Sequence, residues 1–312
     1  MIRYLLSQLA SAVLVMIGVS CLVFFLIHLV PGDPVEVMLG ESANPADREA
    51  LRQSLGLDQP LLTQLLSFFN QLLHFDFGQS LYSKQPIVEM LAERIPATAE
   101  LALAGLLIAV VIAFPLGAIA ALKQGTRWDY GAMGFSLIGV SIPNFWMGPI
   151  LILLFSIGLG WFPVSGREGL SSLVLPAITL GTAMAAILSR MIRATLLEVL
   201  GEDYIRTARA KGLSEGMVIM RHGLRNALLP VVTLIGLQLG TLLGGAVITE
   251  MVFSWPGLGQ LTIESIHKRD YPVLQVCVLF ISMTYVLVNT LTDIVYGWLD
   301  PRIRLGQESS SG

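Results

Sequence analysis

Charge is scarce in this 312-residue chain: Asp, Glu, Lys and Arg make up 13% of it, against 54% hydrophobic residues. A soluble globular domain carries about 25% charged residues, so the composition excludes an ordinary water-soluble globule and indicates the membrane class. The 19 basic and 22 acidic side chains nearly balance, which removes any general electrostatic case for nucleic-acid binding. Cysteine is limited to Cys21 and Cys277, each inside an apolar run rather than a polar loop; both read as packing residues. His28, His74, His222 and His267 are scattered and match no ligand spacing, so no metal site is expected. No Gly-x-x-x-x-Gly-Lys-Ser/Thr run is present to cradle a nucleotide phosphate.

What the chain has instead is long apolar runs. Crossing about 30 Å of hydrocarbon takes roughly 20 mainly apolar residues, because each helical residue rises about 1.5 Å and no water satisfies the backbone. Six segments meet that requirement: 7–30, 101–122, 132–157, 170–189, 227–249 and 271–292, the last extending to Leu299. The first is too long for a signal peptide and lacks a small-residue cleavage site before Pro31-Gly32-Asp33-Pro34, so it is expected to remain as an anchor. Lys and Arg in alternate short loops are distributed twelve to three, which predicts both termini on the cytoplasmic side.

Two loops are more than connectors. Residues 31–96 form a 66-residue segment expected outside the cytoplasm. Within it Asn44 can cap a helix opened by Pro45 and closed before Gly56. A second helix over 61–74 places leucines and phenylalanines on one stripe and contains no charge. This segment is expected to lie on the bundle as a small helical subdomain, with contact to a solute-delivery partner as the sharper reading. The loop at 190–226 is the most charged short loop. Acidic residues in the first turn and Lys211 in the last suit the dipole of a short helix, and Gly212 supplies a left-handed stop before Ser214 opens the next. A short surface helix between two spans can act as a mechanical contact; a solvated, positive loop is the plainer alternative.

The stretch GEDYIRTARAKGLSEGMVIMRHGLRNALLP at 201–230 resembles the cytoplasmic coupling loop of binding-protein-dependent ABC importer permeases. The branch it resembles is the first-type subunit of dipeptide, oligopeptide, nickel and glutathione systems. The resemblance extends over nearly the whole chain through Pro31-Gly32-Asp33-Pro34, Leu55-Gly56-Leu57-Asp58, Phe75-Asp76-Phe77-Gly78, Ile95-Pro96-Ala97-Thr98, Ser141-Ile142-Pro143-Asn144-Phe145-Trp146, Phe253-Ser254-Trp255-Pro256-Gly257-Leu258-Gly259, Arg269-Asp270-Tyr271-Pro272 and Asp300-Pro301-Arg302-Ile303-Arg304. Aligned on Gly212, Arg206-Thr207-Ala208 stands where the broad family has Glu-Ala-Ala, and the family's Leu-Pro falls on Leu224-Arg225.

The resemblance implies an all-α membrane protein of the type I ABC importer permease fold, with six transmembrane helices and a small helical extracytoplasmic insertion. The implied organisation is an N-terminal transmembrane helix at 1–30, an extracytoplasmic helical segment at 31–96, a core permease domain at 97–300 and a cytoplasmic tail at 301–312. It implies a bacterial inner-membrane subunit that imports peptides or related small solutes by alternating access, with nickel chelate or glutathione as alternative cargo. Its partners would be a paralogous permease, two cytoplasmic ATPases that bind ATP and Mg, an extracytoplasmic solute-binding protein and membrane lipid. No cofactor would be bound by this chain itself. Asp203, Tyr204, Arg206, Thr207, Ala208, Arg209, Lys211 and Gly212 would form the ATPase-coupling helix and its stop, with Ala208 facing a tight groove.

Within the apolar spans, Ser141, Asn144, Gln238 and Thr241 are polar groups at membrane depth and candidates for the translocation pathway, with interhelical hydrogen bonding as the competing role. Gly236, Gly240 and Gly244 make a small-residue stripe that suits either a partner-facing seam or packing inside the subunit. Glu250 and Asp293 lie at span borders, where solvation at the membrane interface is the expected state. An ATP-independent carrier or channel would require ionisable or pore-forming groups within the spans, which are nearly devoid of charge. An intramembrane hydrolase would require a nucleophile and base at depth, and no serine pairs with a histidine there.

Overall fold

The computed structural model describes residues 2–29, 35, 39, 44–54 and 56–299. The Pro31-Gly32-Asp33-Pro34 turn and the tail at 301–312 lie outside the described residues. The chain is helical, and no strand occurs among the described residues. Helices α1 (Ile2–Leu29), α4 (Ile87–Leu122), α7 (Leu170–Leu200) and α12 (Tyr271–Leu299) are long and apolar enough to span a bilayer. Two further spans are bent. One is formed by α5 (Arg127–Ser141) and α6 (Asn144–Leu151), α6 continuing through a wider π-type turn at Ile152–Gly158. The other is α10 (Leu224–Val252), which the chain enters from the preceding loop through α9 (Glu215–Met217) and a π-type turn at Val218–Gly223.

The third span departs from the single helix expected at 132–157. It bends by 102° between Ser141 and Asn144. Ile142 is forced into an extended conformation (φ −91°, ψ 116°) by the following Pro143, which itself has no N–H to continue the ladder. The second span also differs, since α4 begins at Ile87, well before Leu101, and carries Pro96 and Pro115 without interruption.

Tight approach of α4 and α7 forms the centre of the bundle. A β-carbon at Gly181 would come within 2.7 Å of the Gly105 carbonyl oxygen, and one at Gly117 within 2.6 Å of the Ser189 carbonyl oxygen. Small residues at these positions let the two backbones pack closely where lipid supplies no hydrophobic drive between helices. Ala97, Leu101, Ala109 and Ala113 of α4 pack with Leu180, Met184, Leu188 and Ile192 of α7 and with Val231, Leu242 and Ala246 of α10.

The inserted segment contains α2 (Pro45–Ser54) and α3 (Leu61–Leu73). The Ala46 N–H donates to Asn44 Oδ1 at 3.4 Å, and Gly56 takes φ +68°, so α2 starts and stops as its sequence requires. The segment is tied to the loop before α12 through Asp270, which is buried. Its carboxylate accepts from Ser80 Oγ and from the Leu81 N–H at 3.1 Å.

Candidate functional site

The charged loop folds as α8 (Asp203–Ala210). Glu202, in extended conformation, precedes it; Asp203 stands in its first turn and Arg209 in its last, matching the helix dipole. Gly212 has φ +78°, the left-handed stop expected, and its N–H donates to the Arg209 carbonyl at 2.9 Å.

The two faces of α8 differ in kind. Ile205 and Ala208, three apart, are buried and pack with Val218, flanked by Leu200 and Leu213. On the other side Asp203, Arg206, Thr207, Ala210 and Lys211 are all exposed, at the spacing that lines up one helical face. Arg206 lies 3.5 Å from Asp203, and Thr207 Oγ1 donates to the Asp203 carbonyl at 3.0 Å. Ala208 therefore does not face outward as expected: it is 6% exposed and turned into the chain's own packing. Its register with Ile205 decides this, because the apolar side of so short a helix is where Val218 lies.

Three contacts fasten α8 to the run that leads into α10 and to its first turn. Arg209 makes a two-pronged pair with Glu215, at 2.6 Å and 3.1 Å. The hydrogen bonds from Arg209 hold the Glu215 carboxyl below its ordinary range, and the same bonds raise Arg209. Asn226 Nδ2 donates to the Tyr204 hydroxyl at 2.8 Å, and Ile205 packs on Val218. Leu200, the last residue of α7, joins the same small cluster. A force applied to α8 thus reaches both α7 and α10.

At the far end of α10 stands a constellation that sequence reasoning missed. Glu250, expected to be solvated, is 0% exposed. Its carboxylate accepts from Thr98 Oγ1 at 2.6 Å and from the Gln260 N–H at 3.0 Å. Thr98 Oγ1 in turn accepts from the Leu258 N–H at 2.8 Å. Trp255, also 0% exposed, donates from Nε1 to the Ala97 carbonyl at 2.8 Å. Gly257 is required here because a β-carbon would lie 2.1 Å from Glu250 Oε1. Arg167 closes over the cluster, paired with Glu100 at 2.7 Å and with its guanidinium 5.8 Å from the Trp255 ring centre. This clasp joins α4, α10 and α11 (Leu258–His267). Its sequence signals were the Ile95-Pro96-Ala97-Thr98 block and the glycine-rich run at 253–259, which a reading by span could not bring together.

The four pathway candidates are spread over three helices. Ser141 and Asn144 flank the break between α5 and α6, and Ser141 Oγ donates within its own helix to the Leu137 carbonyl at 2.8 Å. Gln238 and Thr241 lie on α10, and the Thr241 side chain is outside the described residues. The glycine stripe is resolved in favour of packing inside the subunit at two of its positions. A β-carbon at Gly236 would lie 2.1 Å from Thr292 Cγ2 and one at Gly240 2.8 Å from the Tyr285 ring, both residues of α12.

Comparison with known proteins places these features in a wider group. The family described as "Binding-protein-dependent transport system inner membrane component" matches residues 113–305, and its N-terminal companion matches residues 1–102. The chain is 45% identical to the di/tripeptide transport system permease protein DppB of Pseudomonas aeruginosa (strain UCBPP-PA14), over 97% of this chain and 99% of that one. It is 43% identical to the dipeptide transport system permease protein DppB of Escherichia coli (strain K12), with the same coverage of both chains. Identity to the glutathione transport system permease protein GsiC of the same strain is 42%, again over 97% and 99%. Among solved structures, a chain from inward-facing MetNI methionine ABC transporter crystals superposes with a TM-score of 0.60 at 19% identity, over 69% of this chain and 99% of that chain.

Proposed function

The chain belongs to the inner membrane components of binding-protein-dependent transport systems, a multi-pass permease with the type I importer fold, and from that premise we propose a specific division of labour. It forms one half of a peptide-importing pathway, beside a paralogous permease, two ATPases and an extracytoplasmic solute-binding protein. The peptide assignment rests on the names of the DppB relatives; glutathione, itself a modified tripeptide, follows from the similarity to GsiC. ATP and Mg are bound by the ATPases, because this chain carries no phosphate-cradling run. Both termini and α8 face the cytoplasm, a reading supported by the twelve-to-three distribution of basic residues among the short loops.

The observation that carries this reading is the two-sidedness of α8. Ile205 packs on Val218, Arg209 pairs with Glu215 of α9 and the Tyr204 hydroxyl accepts from Asn226 of α10, while Asp203, Arg206, Thr207, Ala210 and Lys211 are exposed on the outer face. A rigid body seated on the outer face moves α7 and α10 together, and closure of two such bodies rocks the two permeases between inward-open and outward-open forms. Photo-crosslinking from an amino acid placed at Arg206 tests the contact. The expected result is an adduct with an ATP-binding subunit in the intact complex. Absence of such an adduct from both Arg206 and Lys211, in a complex that still transports, would overturn it.

A further inference from the structure

The short helix α3 has thirteen residues and no charged side chain. Its polar residues Thr63, Gln64, Ser67, Asn70 and Gln71 share one face, and its apolar side is divided in two. Leu65, Phe68 and Leu72 are half-buried against the chain. Leu62, Leu66, Phe69 and Leu73, at positions i, i+4, i+7 and i+11, form a second stripe, on which the leucines are 68%, 63% and 78% exposed. In water such a stripe of adjacent leucines is costly, at about 25 cal/mol for each Å² of apolar surface.

The position of α3 indicates what covers it. Four phenylalanine rings run in sequence from the last turns of α1 onto α3. Phe25 meets Phe24 at 5.3 Å, Phe24 meets Phe68 at 5.8 Å, and Phe68 meets Phe69 at 5.9 Å. The first ring of that row, Phe25, is on the exposed surface of a membrane span, as is Leu22 one turn before it. The row therefore joins the lipid-facing surface of α1 to the exposed stripe of α3. A protein partner would find no charge on this helix to pair with, whereas acyl chains require none.

We propose that α3 lies in the bilayer interface beside the C-terminal end of α1 and inserts Leu62, Leu66, Phe69 and Leu73 among lipid acyl chains, anchoring the inserted segment to the membrane. The polar face then meets headgroups and water, and Phe25, at the exposed end of the phenylalanine row, meets acyl chains beside Leu22.

Single cysteines at Leu66, Leu73 and Asn70, labelled with an environment-sensitive nitrobenzoxadiazole, test this in the assembled transporter reconstituted into phosphatidylcholine–phosphatidylglycerol vesicles. The background is the chain with Cys21 replaced by Ala, and the signal of that parent without an introduced cysteine is subtracted. Acyl-chain doxyl lipid is expected to quench the labels at Leu66→Cys and Leu73→Cys several-fold more than aqueous iodide, with the order reversed at Asn70→Cys. Equal iodide quenching at all three positions would place the stripe in water and overturn the proposal. Protection of Leu66→Cys and Leu73→Cys from both quenchers would overturn it in favour of a covering protein. Retained solute uptake by each labelled variant excludes misfolding as the cause of either result.

Discussion

The two ends of α10 are built in opposite ways. At its C-terminal end Glu250 and Trp255 are sealed from solvent, and the Glu250 carboxylate and the Trp255 Nε1–H each find hydrogen-bond partners on other helices. At its N-terminal end the chain is joined to α8 by an exposed ion pair, a tyrosine–asparagine hydrogen bond and a cluster of three buried residues, Ile205, Ala208 and Val218. A buried network resists deformation because any break leaves desolvated groups without partners, whereas exposed contacts exchange with water at little cost. The difference teaches how one helix can be fixed at one end and moved at the other. In the proposed mechanism the clasp is the pivot and the charged loop the lever.

Substitutions at the pivot should have the largest effects. Trp255→Ala removes a fully buried aromatic side chain, and the loss is expected at about 3–5 kcal/mol. Glu250→Ala leaves the Thr98 hydroxyl and the Gln260 N–H buried without an acceptor, costing about 1–3 kcal/mol for each such group. Thermal denaturation of the purified protein should show both as large falls in Tm. If either variant melts like the parent, the clasp is not a rigid element.

An intermediate effect is expected on the inner face of α8. Ala208→Trp overfills the contact with Val218 and should cost about 1–3 kcal/mol, with loosening of α8. Hydrogen exchange across 203–217 would report it as faster exchange confined to that loop. Unchanged protection would mean that α8 shifts as a body without strain.

The smallest effect concerns pH. Glu215 has its folded pKa depressed below the ordinary value of 4.5 by hydrogen bonds from Arg209. Its contribution is therefore present above about pH 4.5 and is lost as pH falls through the lower folded value. Exchange in the α8 loop, corrected for its intrinsic pH dependence, should rise slightly in acid, and Glu215→Gln should abolish that rise. The same dependence persisting in Glu215→Gln would assign it to another group.

Much of this architecture was legible in composition and spacing, because the bilayer imposes length and apolarity on every span. The helix at Pro45–Ser54, the uncharged helix at Leu61–Leu73 and the left-handed Gly212 all follow from local residue chemistry. The break at Pro143 was visible as a proline, yet its 102° consequence required knowing that α6 turns back against Phe253 and Val252. Glu250 was misread because a carboxylate at a span border is ordinarily solvated; its partners Thr98 and Gln260 are remote in sequence or lie beyond a glycine-rich turn. Ala208 was misread because helical register alone does not say which side of a short helix meets its own chain.

The lever itself is tested most directly by Ala210→Trp, which places bulk on the outer face of α8 without entering the Ile205–Val218 contact. Co-purification of the ATP-binding subunits with this variant is the deciding measurement, read beside its Tm. The account predicts a parental Tm with loss of the ATPase subunits and of solute uptake. Parental co-purification and uptake with Trp at position 210 would contradict it and leave α8 as a solvated connector.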